Sequence, residues 1–164
     1  MERLKIIVGF GLLGALVVAG SILFYNRGAK PTIEGRITQV RTLAMDQENS
    51  VAIVNFLAEN TSDRVLIINR RELEVIDGND NRHVGMTISA PDIAELFKYF
   101  KALGGMGDAP LVPRLEVAPG DEIRGLMAAR FPVPKHELDA RKTIKIKVSN
   151  IRGRTSEIEL VSER

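Results

Sequence analysis

An uninterrupted apolar run near the N-terminus is the feature that most constrains this chain. Residues 6–25 read IIVGFGLLGALVVAGSILFY, with no charged residue and no proline. At about 1.5 Å of rise per residue, a helix of this length covers the roughly 30 Å hydrocarbon core of a bilayer. Tyr25 offers an interfacial aromatic ring, and cations flank both ends of the run (Arg3, Lys5, Arg27 and Lys30). The sequence therefore predicts a single transmembrane helix at residues 6–25.

A cleavable signal peptide is the alternative for this segment, because Val18-Ala19-Gly20 is an acceptable cleavage site. The apolar run is longer, however, than the usual signal-peptide core of roughly 7 to 15 residues. Cleavage would also leave the apolar sequence SILFY at an exposed new N-terminus. We therefore expect the segment to remain as an uncleaved anchor.

The orientation of the anchor follows from its flanks. Arg36 and Arg41 add to the cations after the run, so a literal count places the following domain in the cytoplasm. That count carries less weight when a long folded domain follows, and a very short N-terminal tail is typical of a signal-anchor. We expect a single-pass membrane protein whose C-terminal domain is extracytoplasmic, on the periplasmic side.

Small residues recur along one face of the predicted anchor. Gly11, Ala15 and Ala19 are spaced four residues apart, which would let a second helix backbone approach closely. One interpretation is self-association of the anchor. The other is that Gly and Ala are simply common in membrane helices.

Residues 26–32, NRGAKPT, read as a short juxtamembrane linker, which leaves residues 33–164 as one domain. The chain has 23 Lys and Arg and 21 Asp and Glu, but four of these cations and one acid flank the apolar run. From Pro31 onward, the sequence contains 19 Lys and Arg residues and 20 Asp and Glu residues. This balance does not resemble the basic footprint of a nucleic-acid binder. Cysteine is absent, which excludes disulfides, thiolate metal sites and a cysteine nucleophile.

Apolar and β-branched runs separated by turn residues fill most of the domain. They cover residues 33–43, 50–59, 65–68, 73–76, 83–89, 122–131, 143–148 and 157–161, with a bulge expected at Arg70-Arg71. Residues 50–59, SVAIVNFLAE, are apolar on both phases, which predicts a central strand covered on both faces. Pro119-Gly120 fits the centre of a type II turn before Glu122. The pattern predicts a mostly β fold of seven or eight strands in an antiparallel sandwich.

One segment, residues 90–105, has helical rather than strand periodicity. Its apolar residues fall on one helix face (Ile93, Leu96, Phe97, Phe100 and Leu103). Ser89 with Asp92 can form a capping box, and Gly104 can end the helix. We expect an inserted amphipathic helix at 90–103 that packs against the end of the sandwich, with a docking surface as the alternative.

The segments AIVNFLAENTSDRVLIINRRELEVIDGND and VAPGDEIRGLMAARFPV carry a family resemblance. They resemble the immunoglobulin-like extracytoplasmic domains of uncharacterised bacterial membrane-anchored proteins and, more distantly, the late-embryogenesis-abundant type 2 sandwich. The resemblance implies an immunoglobulin-like antiparallel sandwich outside the cytoplasm. It implies no catalytic residues, and the helix at 90–103 is not a general feature of such sandwiches.

Motifs for metal binding or catalysis are incomplete in this sequence. Asp77, Asn79 and Asn81 begin like a calcium-binding loop, but Arg82 stands where glycine is required and Ile88 where glutamate is required, so a hairpin turn is the better interpretation. The histidines at 83 and 136 belong to no recognised ligand or nucleophile motif. We expect no metal, no cofactor and no catalytic residue.

Two candidate contact surfaces remain. The apolar residues of the helix and the following loop could contact a partner or ligand (Phe97, Phe100, Met106, Leu111 and Val112). A basic run near the C-terminus could contact anionic headgroups or an acidic partner, each cation adding about 1 kcal/mol close to a membrane (Lys145, Lys147, Arg152 and Arg154). The alternative for the basic run is a solvated strand face whose lysines discourage edge-to-edge pairing.

An anchor joined to a sandwich without a reactive constellation predicts a non-enzymatic interaction or assembly module outside the cytoplasm, with another envelope protein as partner. The alternative is a domain that binds small or apolar ligands through the helix and loop at 90–113. An enzyme is the least favoured class, and clustering of either histidine with several acids would revive it.

Overall fold

The computed structural model describes residues 33–151 and 155–161, so the predicted anchor at 6–25 and linker at 26–32 lie outside the described residues. Nine strands fill most of this part: β1 (Glu34–Ala44), β2 (Ser50–Glu59), β3 (Leu66–Ile76), β4 (Arg82–Val84), β5 (Met86–Thr87), β6 (Glu116–Val117), β7 (Glu122–Phe131), β8 (Thr143–Asn150) and β9 (Thr155–Val161). The helices are α1 (Ala90–Tyr99), a 3-10 turn (Lys101–Leu103) and α2 (Lys135–Asp139). None of the helices within these two ranges is long and apolar enough to cross a membrane.

The strands form two antiparallel sheets that pack face to face. The first sheet has the order β1-β2-β7-β5, and the second has the order β4-β3-β8-β9 with β6 paired to β3. Large buried side chains from both sheets meet in one core cluster (Phe56, Met127 and Phe131 from the first, Leu73, Ile144 and Ile146 from the second). The prediction of a mostly β sandwich with a short helix is therefore confirmed.

Strand β2 is covered on both faces, as its sequence predicts. Ala52, Val54 and Phe56 face the main core between the sheets. Val51 and Ile53 alternate with them and belong to a second buried cluster on the outer face of the first sheet. The continuous apolar run of this strand is thus explained by two separate hydrophobic contacts.

The cap of helix α1 agrees with the sequence. Ser89 Oγ accepts a hydrogen bond from the Asp92 backbone N–H at 3.4 Å and donates to Asp92 Oδ2 at 2.5 Å. The α-helix ends at Tyr99, and the 3-10 turn carries the chain to Gly104, whose φ of 73° favours glycine. The predicted helix of residues 90–103 is therefore a shorter α-helix followed by a 3-10 turn.

The position of α1 differs from the expectation. Ile93 and Leu103 are buried with Val51, Leu126 and Ala128, which lie on the outer face of β2 and β7. The helix therefore covers the outer face of the first sheet, and the expectation that it caps the end of the sandwich is wrong. The physical reason is that this sheet is apolar on both sides, so its outer face needs a cover more than the sandwich end does.

The segment predicted as one strand at 83–89 is divided between the two sheets. Before Gly85, β4 pairs with β3 of the second sheet, and after it β5 pairs with β7 of the first. A Cβ atom on Gly85 would lie 2.6 Å from the Phe131 ring. Glycine is therefore required where the chain crosses closely over the core. The bulge expected near Arg70 is confirmed by a register shift between Ile68 and Arg70.

The two ends of the first sheet can be distinguished by where the chain enters. The Ile33 backbone N–H donates to Ser156 Oγ at 3.1 Å, and β1 leads away from there to the β1–β2 turn. The far end holds the pairs of Ala44 with Ser50 and of Met86 with Arg130. Met86 therefore lies at the end of the sheet opposite Ile33.

Candidate functional site

The five residues predicted as one apolar contact surface lie in two places. Phe97 and Met106 are partly buried over the outer face of the first sheet. Leu111 is buried in the main core, and Val112 beside it is 44% exposed. Phe100 is the C-cap residue after helix α1 and is 37% exposed. The structure therefore does not bring these five side chains together in one continuous surface.

Arg41 on β1 holds the chain that follows α1. Its guanidinium donates Nη2 to Asn55 Oδ1 at 2.6 Å. It also donates to three backbone carbonyls, two at Nη1 and one at Nη2 (Leu103 at 2.9 Å, Gly105 at 2.7 Å and Met106 at 3.4 Å). These carbonyls lie at the last residue of the 3-10 turn and just after it, where backbone acceptors lack intrahelical partners. Arg41 therefore caps the end of this helical segment from a neighbouring strand.

The same network continues through a buried amide. Asn55 Nδ2 donates to Asp108 Oδ2 at 2.7 Å, so Asn55 links Arg41 to the loop. Burial lowers the pKa of Arg41, and the charge of Asp108 acts in the opposite direction. The network of Arg41, Asn55 and Asp108 was not predicted from the sequence. A signal was present, because Asn55 interrupts the apolar run SVAIVNFLAE, and a buried amide requires hydrogen-bond partners.

An exposed apolar surface surrounds Met86. Met86 is 75% exposed, Val84 is 49% exposed and Met45 is 46% exposed. Two shallow clefts of about 400 and 380 Å³ meet there, and both are lined by Met86 and Arg130. We call Met45, Val84, Met86 and Arg130 the Met86 surface. Soluble domains usually leave such side chains exposed singly, so their grouping makes the Met86 surface a candidate for contact with a partner.

A third cleft lies between the loop at 109–117 and the start of β7, and we call it the β6–β7 cleft. Its volume is about 460 Å³. It combines apolar side chains (Leu111, Val112, Leu115, Val117 and Ile123) with charged ones (Glu116, Asp121, Glu122 and Arg124). Arg71 Nη1 donates to the Leu111 carbonyl and fixes one side of this cleft.

The lysines of the predicted basic face have acidic neighbours. Lys147 Nζ lies 3.0 Å from Glu74 Oε2 and 3.2 Å from Glu157 Oε1, and Lys145 Nζ lies 3.8 Å from Glu157 Oε2. Hydrogen bonds with Glu74 and then Glu157 raise the pKa of Lys147. The acids come from β3 and β9, so the continuous basic run in the sequence could not reveal them. Arg152 and Arg154, predicted to share this face, lie outside the described residues.

Glu74 is nearly buried beside these lysines. Burial acts to raise the pKa of its carboxyl group, but hydrogen bonds from Lys147 and Arg82 outweigh it, so the pKa is lowered. The outer face of the second sheet is therefore a ladder of paired charges, unlike the apolar outer face of the first sheet.

The residues of the incomplete calcium motif form a turn. Asp77 Oδ1 accepts the backbone N–H groups of Asn79 and Asn81 at 2.8 and 2.9 Å, and Asp77 Oδ2 lies 3.0 Å from His83 Nε2. Hydrogen bonds from His83 and Asn81 hold the pKa of Asp77 well below its usual range. His136 is exposed on α2. Among the side chains that the structure describes, no group of three His, Cys, Asp or Glu is placed to hold a metal ion.

Comparison with known proteins gives similarity to solved structures. No protein-family model and no curated protein match the chain. A conserved hypothetical protein from Bacillus anthracis is 14% identical, with 80% of this chain and 90% of that chain covered and a TM-score of 0.40. An uncharacterised β-sandwich protein from Clostridium difficile is 9% identical, with 80% and 87% covered and a TM-score of 0.40. The Iho670 flagellar-like filament is 12% identical, with 94% and 97% covered and a TM-score of 0.33.

Proposed function

We propose that this chain is a membrane-anchored, non-enzymatic interaction or assembly module, which docks another envelope protein outside the cytoplasm through the Met86 surface. The grouped exposure of Met45, Val84 and Met86 is the observation that carries the proposal. Covering large apolar side chains is worth roughly 1.5 to 3 kcal/mol for each one fully buried, which is a substantial part of a binding free energy.

We also propose that the domain is an immunoglobulin-like sandwich. The sheet orders β1-β2-β7-β5 and β4-β3-β8-β9 support it, because they follow the ABED and C′CFG strand orders of immunoglobulin-like sandwiches when the strands are lettered along the chain. The inter-sheet disulfide and core tryptophan of antibody domains have no counterpart, since the sequence contains neither Cys nor Trp. Domains of this type commonly serve at cell surfaces as binding modules.

The position of the Met86 surface suits a protein partner. The chain enters the sandwich at Ile33, and Met86 lies at the opposite end of the first sheet. The proposed anchor and linker precede Ile33 in the sequence. Arg130 adds one cation to the apolar rim. The matching partner therefore presents apolar side chains with a hydrogen-bond acceptor or carboxylate beside them.

Site-specific photocrosslinking in native membranes tests this function. A photoreactive residue at Met86 of the full chain should give one discrete adduct, and Val84→Lys should reduce its yield at least severalfold. The matched control is Val65, which is 53% exposed and lies near the opposite end of the sandwich. A probe at Val65, and the variant Val65→Lys, should have no such effect. Equal adducts from both probes, or an adduct unaffected by Val84→Lys, would contradict the proposal.

A second candidate function is the binding of a small or apolar ligand, which the β6–β7 cleft favours. Leu111 and Val112 of the predicted loop line this cleft, whereas Phe97, Phe100 and Met106 do not. Titration with a small apolar fluorophore tests it. Saturable binding with one site per chain, weakened by Val112→Lys and not by Met86→Lys, would support it.

A further inference from the structure

Strand β7 has an open stretch of edge beside the β6–β7 cleft. In an antiparallel pair of strands, the backbone N–H and C=O groups of every second residue bond to the neighbouring strand. Those of the residues between them point away from that strand. Leu126 points away from β2, because its N–H donates to the Ala109 carbonyl at 3.0 Å and its carbonyl accepts from the Leu111 N–H at 2.8 Å. By the same alternation, the backbone groups of Arg124 and Glu122 also point away from β2.

The rest of this edge is already covered. The Ala128 carbonyl accepts from the Ile88 N–H at 2.9 Å, and Arg130 pairs with Met86 of β5. Within residues 33–151 and 155–161, no backbone donor or acceptor pairs with the outward backbone groups of Arg124 and Glu122. Two successive outward residues thus leave room for an extended segment to pair there.

The chain itself shows that this edge accepts an added strand. Residues 109–111 run parallel to β7 through the bridge of Pro110 with Leu126, and Leu111 places its side chain in the main core. After Leu111 the chain leaves β7 and crosses to Ile68 on β3, where Arg114 N–H donates to the Ile68 carbonyl at 2.7 Å. The β6–β7 cleft lies between this loop and the start of β7.

The side chains around the open edge indicate what kind of segment would fit. Leu115, Val117 and Ile123 offer an apolar floor for one face of a strand. Three carboxylates and one guanidinium surround that floor (Glu116, Asp121, Glu122 and Arg124). Because the acids outnumber the cation, a segment with basic side chains beside its apolar ones is complementary in charge.

We propose that the β7 edge at residues 122–124 is a docking site for an extended peptide in which apolar and basic side chains alternate. The peptide extends the first sheet by backbone hydrogen bonds to Arg124 and Glu122, and one apolar side chain enters the β6–β7 cleft. This site is separate from the Met86 surface and does not depend on it. The partner is a strand-forming segment of another protein, because binding uses hydrogen bonds to the β7 backbone in addition to apolar contact in the cleft.

The test uses the full chain in detergent micelles and the synthetic octapeptide TVRVRVTN, which is not a segment of this chain and in which apolar and basic residues alternate. The control peptide TVEVEVTN keeps the apolar residues and reverses the charge. Fluorescence anisotropy should show saturable binding of the first peptide and at least tenfold weaker binding of the second. Amide hydrogen exchange at Glu122 and Arg124 should slow roughly tenfold or more when the first peptide is bound.

Two variants at one position separate backbone pairing from charge. Arg124→Pro removes an N–H that points away from β2, so the β2–β7 ladder remains while the edge is blocked. It should abolish peptide binding, whereas Arg124→Ala keeps the N–H and should bind at least as well as the wild type. Met86→Lys should bind the peptide normally, which distinguishes this site from the proposed function.

Several results would overturn the inference. Unchanged exchange at both amides, or normal peptide binding by a folded Arg124→Pro chain, would mean that the edge is not the site. If Arg124→Pro fails to fold, the exchange of the unmodified chain decides the question. Displacement of the peptide by a small apolar fluorophore without any change in amide exchange would replace a strand partner with a small ligand.

Discussion

The guanidinium of Arg41 lies 4.8 Å from the centre of the Phe97 ring, where α1 crosses the first sheet. A cation in this position over an aromatic face contributes roughly 0.5 to 2 kcal/mol, more when the pair is shielded from water. Arg41 at the same time donates to the carbonyls of Leu103 and Gly105. Arg41 thus connects the Phe97 ring on α1 with the backbone at the end of the helical segment.

Replacing Phe97 with Ala tests how much this contact stabilises the domain. Because Phe97 is only partly buried, we expect a loss of about 2 kcal/mol, below the roughly 3 to 5 kcal/mol typical of a fully buried phenylalanine. Urea unfolding followed by circular dichroism measures this. Tyr99→Ala is the control, since Tyr99 is 71% exposed, and it should change stability by less than about 0.5 kcal/mol. Equal effects of the two changes would contradict the packing of α1.

Replacing Arg41 with Met should release the segment after α1. Met keeps apolar contact with the ring but leaves Asn55 and the carbonyl acceptors without their donor, a loss of roughly 2 to 4 kcal/mol. Urea unfolding gives the stability, and hydrogen exchange should speed up at residues 103–108 before other parts of the domain. Arg36→Met is the control, because Arg36 is an exposed arginine on the same strand. Unchanged exchange at residues 103–108 would contradict the capping role of Arg41.

Most of the long strands could be predicted from the sequence because they have local apolar patterns, whereas the two-residue strand β6 was not predicted. Ser50–Glu59 and Glu122–Phe131 have the bounds that their apolar runs predict, and the Ser89 cap of α1 follows from residues three positions apart. The packing position of α1 could not be predicted, because it depends on which sheet face is left apolar after the sandwich forms. Gly85 shows the same limit, since the division of one run between two sheets depends on the distant Phe131 ring.

The candidate sites required knowledge of strand neighbours. Lys145 and Lys147 form part of a basic run in the sequence, yet the pairing of β8 with β3 and β9 brings Glu74 and Glu157 beside them. The Met86 surface likewise joins residues from the β1–β2 turn, the β4–β5 segment and β7. Hydrophobic periodicity describes one strand at a time. Side-chain contacts between strands that are distant in the sequence were therefore not predictable from it.

The turn at Asp77 makes the unfolding free energy of the domain depend on pH in the acidic range. Its carboxylate is stabilised by hydrogen bonds, so the pKa in the folded state lies below the unfolded value of about 3.9. The stabilisation is therefore present above about pH 4 and is lost as the pH falls below it. Asp77→Asn should lower the unfolding free energy near neutral pH and flatten its decline below pH 4, as measured by urea unfolding across pH. The exposed Asp63→Asn is the control. A profile for Asp77→Asn as steep as the wild type would contradict this role of Asp77.

The N-terminal run remains a prediction, and it has a direct test in cells. Twenty apolar residues at 6–25 suffice to span a bilayer, so the full chain should resist carbonate extraction and keep its N-terminal residues. Intact mass spectrometry of the protein from membranes measures the second point. Introducing two arginines within the run, as Leu13→Arg with Val17→Arg, should release the chain from membranes, because each charge near the bilayer centre costs roughly 2.5 to 3.5 kcal/mol on the insertion scale. Glu2→Arg is the control, since it lies outside the run and should leave the chain in the membrane. Recovery of a soluble protein that begins near Ser21 would show instead that residues 1–20 are removed as a signal peptide.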